Sequence, residues 1–202
     1  VPRDIAKNAS AFGKLIEDCK VTMLHQTPSA FNILQENILV NSPQLNLKYI
    51  IFCGEALDPS KLKNWANKYP DCKLVNTYGI TEVGVYNTFQ EITTKNITSA
   101  KSIIGVALPT DYMYLLDENK NEVNIGVEGE LYIGGSGLAR GYLNLPELSS
   151  ARFTNDPLSN DPTARLYRSG DLAILQEDGT FEYIGRIDDQ VKVNGFRVEM
   201  GE

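Results

Sequence analysis

The feature that most constrains the fold is a repeated alternation of strand-like and helix-like segments in the first 76 residues. Short apolar runs typical of buried strands occur at 21–25, 49–53 and 72–75. Helical spacing of apolar residues precedes each run, with Ser10 as the expected cap of the first helix and Pro28 and Pro59 opening the next two. This alternation predicts a parallel sheet covered by helices, with ligand sites beyond the carboxyl ends of the strands.

From about Ser99 the pattern changes to short alternating strands separated by turn residues. Glu177-Asp178-Gly179 and Asn194-Gly195 are hairpin signals. Strand candidates in this part are 112–116, 129–134, 171–175, 181–184, 191–193 and 196–198. The predicted fold class is therefore α/β: a mostly parallel sheet covered by helices, followed by a β-rich, distorted barrel-like subdomain. The predicted boundaries are 1–98, 99–187 and 188–202.

Composition excludes several classes of protein. The chain has 202 residues and a formal net charge of −7, so neither nucleic acid nor an anionic membrane surface is an expected partner. No apolar run approaches the roughly 20 residues that span a bilayer, and we expect a cytoplasmic protein. The three cysteines lack CxxC spacing, and His25 is the sole histidine, which disfavours a disulfide framework, a thiolate zinc site and a Ser-His-Asp triad.

The segment Asn76-Thr77-Tyr78-Gly79-Ile80-Thr81-Glu82 carries an unusual set of functional groups at a strand end. A tyrosine ring can stack on a flat heterocycle, Thr81 can bind a phosphate oxygen, and Glu82 can hold Mg²⁺. Downstream, Asp171 could bridge two ribose hydroxyls and Arg186 supplies a cation. Taken alone, the same residues also fit a core tyrosine, a helix start and a turn.

A second glycine-rich segment, Gly134–Gly137, has neither of the spacings typical of phosphate loops. We expect it to form a turn or a bulge.

Four segments together resemble the core motifs of adenylate-forming enzymes, and more narrowly those of the adenylation domains of nonribosomal peptide synthetases. They are NTYGITE (76–82), GELYIGGSGLARGYLNLPELSSARF (129–153), YRSGDLA (167–173) and GRIDDQVKVNGFRVEMGE (185–202). The resemblance implies an enzyme that forms an aminoacyl-AMP from ATP and an amino acid. The acyl group would then pass to the phosphopantetheine thiol of a peptidyl carrier protein, and a small MbtH-like accessory protein is a further implied partner.

The resemblance also implies residue roles. Thr81 and Glu82 would be catalytic, with Glu82 bearing Mg²⁺, and Asp188 would be the hinge of a small C-terminal domain. The implied ATP site comprises Gly54, Glu55, Ala56, Asn76, Tyr78, Gly79, Thr81, Asp171, Tyr183 and Arg186. The implied side-chain pocket for the amino acid comprises His25, Ile51, Cys53, Thr77, Val85 and Tyr86, each of which could equally be an ordinary residue at a sheet end.

Some parts of the family pattern fall outside this sequence. These are the phosphate loop with its lysine, the aspartate that pairs with the substrate amine, and the lysine near the family's C-terminus. We therefore expect the chain as given to activate amino acids poorly or not at all. Two alternatives stay open: an acyl- or aryl-acid ligase, and a non-catalytic remnant that docks a carrier protein.

Overall fold

The computed structural model describes residues 1–187 and the strands Val191–Val193 and Phe196–Val198. The described residues form two compact units. Unit one contains Val1–Asn76 and Glu91–Ser102, and unit two contains Thr77–Gln90 and residues 103–187. The domain boundaries drawn from the sequence stay predictions. The hinge residue Asp188 lies outside the described residues.

Unit one is an α/β layer built as the alternation predicts. Its strands β1 (Met23–Gln26), β2 (Tyr49–Phe52) and β3 (Lys73–Asn76) are parallel and adjacent in that order. Its helices are α1 (Arg3–Ala6), α2 (Ala9–Asp18), α3 (Pro28–Asn41), α4 (Lys63–Lys68) and α5 (Thr94–Ser99), and a 3₁₀ turn at Pro59–Leu62 leads into α4. The predicted parallel sheet with helices is confirmed.

The cap of α2 differs from the expectation. The side chain of Asn8, and not that of Ser10, accepts a hydrogen bond from the backbone N–H of Ala11 at 3.0 Å. Asn8 has an extended backbone, as a capping residue needs, whereas Ser10 already lies inside the helix. The apolar period alone did not show that the helix begins one residue before Ser10.

The core of unit one packs aromatic rings from a helix, a strand and a second helix. The ring of Phe31 meets Phe52 edge-on at 5.1 Å and Trp65 at 4.9 Å between centroids. All three side chains are fully buried. Edge-to-face contacts of this kind fix the position of α3 over β2, and with it the loop that follows the strand.

Unit two is β-rich and mostly antiparallel, as the change in pattern predicts. Its elements are β4 (Thr88–Glu91), β5 (Ile103–Ala107), β6 (Asp111–Leu116), β7 (Glu128–Gly135), α6 (Pro146–Arg152), β8 (Phe153–Asn155), β9 (Arg165–Leu175) and β10 (Phe181–Arg186). Among these strands the order is β4-β5-β10-β9-β7-β6, with β8 on β9. These strands do not close into a barrel, because β4 and β6, at the two ends of this order, are not paired with each other in the described structure.

The two hairpin signals correspond to paired strands. β9 and β10 pair across Glu177–Gly179, with Phe181 opposite Leu175. β11 (Val191–Val193) and β12 (Phe196–Val198) pair with each other. In the described part of the chain, no helix has the length and apolar character needed to cross a membrane.

Candidate functional site

The loop that carries Tyr78 is closed tightly by its own backbone. The carbonyl of Tyr78 accepts from the N–H groups of Asn87 and Thr88 at 2.8 and 3.1 Å, and the Tyr78 N–H donates to the Thr88 hydroxyl at 3.0 Å. A Cβ added at Gly79 would lie 2.1 Å from the Val85 carbonyl oxygen. Only glycine allows this approach, so the sequence of the loop fixes where the tyrosine ring lies.

Tyr78, Asp171 and Arg186 form one buried polar cluster in unit two. Arg186 Nη1 donates to Asp171 Oδ1 at 2.8 Å, and the Tyr78 hydroxyl donates to Asp171 Oδ2. The Asp171 side chain is 0% exposed and that of Arg186 is 8% exposed. Burial raises the pKa of Tyr78 well above its ordinary value, and the nearby Asp171 carboxylate raises it further. The Tyr183 ring lies 6.3 Å from the Tyr78 ring.

Glu82 is buried and is oriented by two tyrosines. Its Oε1 accepts hydrogen bonds from the hydroxyls of Tyr142 at 2.7 Å and Tyr167 at 3.0 Å. The two hydroxyl oxygens are 3.0 Å apart. Burial, together with the hydrogen bonds to Tyr167 and Glu82, raises the pKa of Tyr142 far above its usual range, so this phenol stays a donor at any ordinary pH. Sequence reasoning missed both tyrosines as site residues, although both stand in the quoted motifs.

The Glu82 carboxylate fits a magnesium ion that is shared with a bound ligand. A carboxylate oxygen is the kind of ligand that Mg²⁺ prefers. Among the described residues, no group of three or more His, Cys, Asp or Glu side chains could hold a metal by itself. Mg²⁺ is commonly held by one or two carboxylates together with substrate phosphates, which is the arrangement that a single glutamate permits.

In the glycine-rich segment, Gly134 and Gly135 end β7, and Ser136 and Gly137 form the turn that follows it. A Cβ on Gly137 would lie 2.3 Å from the Val83 carbonyl oxygen, and the N–H of Ala139 donates to the carbonyl of Glu82 at 2.8 Å. The segment therefore packs against the backbone beside Glu82 and helps to hold it.

In unit one, Glu55 anchors the loop after β2. Its carboxylate accepts from the backbone N–H of Ser29 at 3.0 Å and from the Ser29 hydroxyl at 2.9 Å. Ser29 stands in the first turn of α3, where the helix dipole favours an anion. The Glu55 side chain thus ties the loop after β2 to the first turn of α3.

The residues of the predicted side-chain pocket are found in both units. In unit one, His25 and Ile51 are direct neighbours across β1 and β2, and Cys53 follows β2. The sequence suggested a buried strand here, but within β1 only Leu24 is buried and His25 is exposed, because β1 has β2 as its one neighbour among the described strands. Partial burial still lowers the pKa of His25.

The remaining predicted residues stand at the end of β3 and in the loop that follows. Asn76 is buried at the end of β3 and has Phe52 as its neighbour on β2. In unit two Thr77 is buried, Tyr86 is half-buried, Val85 is 68% exposed, and the Thr81 side chain is exposed. The assignment of a pocket and of ligand contacts to these residues stays a prediction.

Comparison with known proteins places these motifs in a family. Residues 1–143 match the AMP-binding enzyme family. The whole chain is 46% identical to part of a plipastatin synthase and 44% identical to part of a dimodular nonribosomal peptide synthase, both from Bacillus subtilis (strain 168). It covers 8% and 9% of those two proteins.

A solved structure gives the same result. It is that of holo-PA1221, described as an NRPS protein containing adenylation and PCP domains bound to a vinylsulfonamide inhibitor. The two are 30% identical with a TM-score of 0.86, over 95% of this chain and 33% of that one. The chain belongs to the AMP-binding enzyme family, whose members are adenylate-forming ligases. Within that family it is similar to the adenylation domains of nonribosomal peptide synthetases, as the motifs predict.

Proposed function

We propose that this chain is part of an adenylation domain that binds ATP with Mg²⁺ and activates an α-amino acid as its adenylate. The observation that carries the proposal is the buried cluster in which Tyr78 and Arg186 both contact Asp171, in a member of the AMP-binding family. These three residue types provide an aromatic surface, a carboxylate and a permanent cation. Residues far apart in the sequence meet with the chemistry that a nucleoside requires.

In the proposed site each side chain has one task. The Tyr78 ring lies along the adenine, and the ribose hydroxyls replace the Tyr78 hydroxyl as donors to Asp171. Arg186 keeps the carboxylate oriented and lies on the ribose side. Thr81, whose side chain is exposed, donates to an α-phosphate oxygen. Asn76, Gly79 and Tyr183, together with Gly54, Glu55 and Ala56, are the other members of the predicted ATP site.

Glu82, held by Tyr142 and Tyr167, presents a carboxylate to Mg²⁺. The bound ion would neutralise phosphate charge as the amino acid carboxylate attacks. The chain's own residues then act by positioning and by orienting charge, which needs no side-chain nucleophile.

We further propose that the amino acid side chain contacts His25, Ile51, Cys53, Thr77, Val85 and Tyr86. The aminoacyl group would then pass from the adenylate to the phosphopantetheine thiol of a carrier protein, and AMP would leave. The holo-PA1221 protein, which contains an adenylation domain and a PCP domain in one chain, supports this partner. A small MbtH-like accessory protein is the second partner that we propose.

Calorimetry of ATP binding with and without Mg²⁺ tests the nucleotide site. We expect binding that weakens when Mg²⁺ is removed, and that weakens again in Asp171→Asn but not in the exposed control Asp161→Asn. Equal binding in all of these samples, or no binding to the unmodified chain, would refute the nucleotide site. Because we expect little activity from this chain by itself, pyrophosphate exchange is measured on the full-length parent protein with panels of amino, acyl and aryl acids, which separates the amino acid proposal from the acyl- and aryl-acid alternative. A chain that binds a carrier protein but not ATP would be the non-catalytic remnant.

A further inference from the structure

The strand that presents Asp171 contains an irregularity at the point where this carboxylate projects. Between β7 and β9, Tyr132 pairs with Arg168 and Glu130 pairs with Leu172. The three residues 169–171 on β9 therefore stand opposite the single residue Leu131 on β7. Such a bulge turns a side chain away from the regular alternation of the strand.

Backbone geometry within the bulge is unusual, and specific side chains hold it. Gly170 has φ +76°, which a residue with a side chain rarely adopts. The Ser169 hydroxyl donates to the Leu131 carbonyl at 2.6 Å and accepts from the Asp171 N–H at 2.9 Å. This pair of bonds ties the bulged strand to its neighbour directly beside Asp171.

The Glu130 carboxylate holds the bulge in β9 through further hydrogen bonds. Its Oε1 accepts from the backbone N–H of Gly170 at 3.2 Å and from Arg168 Nε at 2.9 Å. Its Oε2 also accepts from Arg168 Nε, at 3.0 Å. The Glu130 side chain is only 10% exposed, whereas that of Arg168 is 46% exposed. A buried carboxylate is costly unless it is hydrogen-bonded, and here its bonds go to Gly170 inside the bulge and to Arg168 directly before it.

We propose that Glu130 is a positioning residue that fixes the bulge in β9 and thereby aims Asp171 at the ribose of the nucleotide. This inference deepens the proposed function and rests on it, since it takes Asp171 as the group that binds the ribose. Glu130 itself contacts no ligand. Its effect should therefore be seen in the recognition of ribose hydroxyls rather than in the overall fold.

The test compares the affinities of ATP and 2′-deoxy-ATP in the unmodified chain, in Glu130→Gln and in the control Glu128→Gln. Glu128 lies on the same strand and is exposed. A hydrogen bond from a ribose hydroxyl to a carboxylate corresponds to a preference for ATP of about tenfold or more. We expect this ratio to fall toward one in Glu130→Gln and to persist in Glu128→Gln. In Asp171→Asn the ratio should already be near one, and adding Glu130→Gln should not change it further.

Hydrogen exchange of the Gly170 and Asp171 amides gives a readout that needs no nucleotide. We expect faster exchange in Glu130→Gln than in Glu128→Gln. If Glu130→Gln does not fold, Arg168→Gln replaces it, because this half-exposed side chain can be changed without burying a new group, and the same direction of change is expected.

Each outcome separates the two proposals. If the unmodified chain binds ATP no better than 2′-deoxy-ATP, the ribose contact in the proposed function is wrong, and the amide exchange alone decides whether Glu130 fixes the bulge. If the unmodified chain prefers ATP but Glu130→Gln keeps both the ratio and the slow exchange, Glu130 is not a positioning residue. Faster exchange with an unchanged ratio would show that Glu130 only stabilises the strand, and it would also overturn the inference.

Discussion

Replacing Asp171 with Asn should destabilise the chain far more than removing an exposed ion pair. The Asp171 side chain is 0% exposed and that of its partner Arg186 is 8% exposed, and Arg186 Nη1 lies 2.8 Å from Asp171 Oδ1. Removal of one member of a buried pair costs about 3–5 kcal/mol, because the other charge stays buried without its partner. Since the Asn side chain keeps one acceptor oxygen for Arg186 or Tyr78, we expect a loss of about 3 kcal/mol in the free energy of unfolding.

Urea denaturation followed by circular dichroism measures this loss, and the slope of the transition checks that the unfolded states are comparable. The matched control is Glu91→Gln, which removes the Lys73–Glu91 pair, whose atoms are 3.2 Å apart with side chains 52% and 45% exposed. Exposed pairs contribute about 0–1 kcal/mol. Equal losses for the two variants would refute the argument from burial. A double variant of Asp171→Asn with Arg186→Met should regain part of the stability, since it removes the stranded charge.

Three further predictions concern other positions. Tyr142→Phe removes one of the two hydrogen-bond donors to Glu82 and should lower the free energy of unfolding by about 1.5 kcal/mol. It should also weaken the effect of Mg²⁺ on ATP binding measured by calorimetry, and an unchanged effect would count against the role assigned to Tyr142. Gly79→Ala should lower the melting temperature markedly, because the new Cβ would lie 2.1 Å from a backbone carbonyl oxygen, whereas Gly185→Ala, with no atom within 4 Å, should have little effect. Burial raises the pKa of the Cys72 thiol to about 11, so this thiol should resist alkylation at pH 8 in the folded chain and react after denaturation. The stability that the shift supplies is complete below the thiol's unfolded pKa near 9 and is lost as the pH rises toward 11.

The α/β part of the fold was predictable because its signals are local. Each of β1, β2 and β3 is a short apolar run with a helical period before it, and Pro28 opens α3 as expected. The pairing of β4 with β5 was not predicted from the sequence. β5 contains Gly105 at φ +90°, which interrupts the alternation, and the pairing depends on residues that are far apart in the chain.

The candidate site shows the same division between local and tertiary information. Tyr78 and Asp171 meet although 93 residues separate them. Their chemistry alone also fitted a core tyrosine and a turn, and it was the resemblance of their motifs to adenylation domains that placed both residues in one predicted site. The donors to Glu82 could not be predicted, because a tyrosine in a strand or loop fits a core position as well as a hydrogen-bonded one. Which of these holds for Tyr142 depends on the partner that the fold brings to it.

The proposed nucleotide site has to hold an anionic ligand on an acidic chain. With a net charge of −7, long-range attraction does not favour a nucleotide, so the attraction has to come from local groups. Both carboxylates in these clusters are already contacted by donors: Asp171 by Arg186 and Tyr78, and Glu82 by two phenols. Phenols are neutral donors, so they fix the Glu82 carboxylate in place without cancelling its charge. In the proposed site the Glu82 carboxylate would hold Mg²⁺, so we expect nucleotide affinity to depend more on Mg²⁺ than on ionic strength.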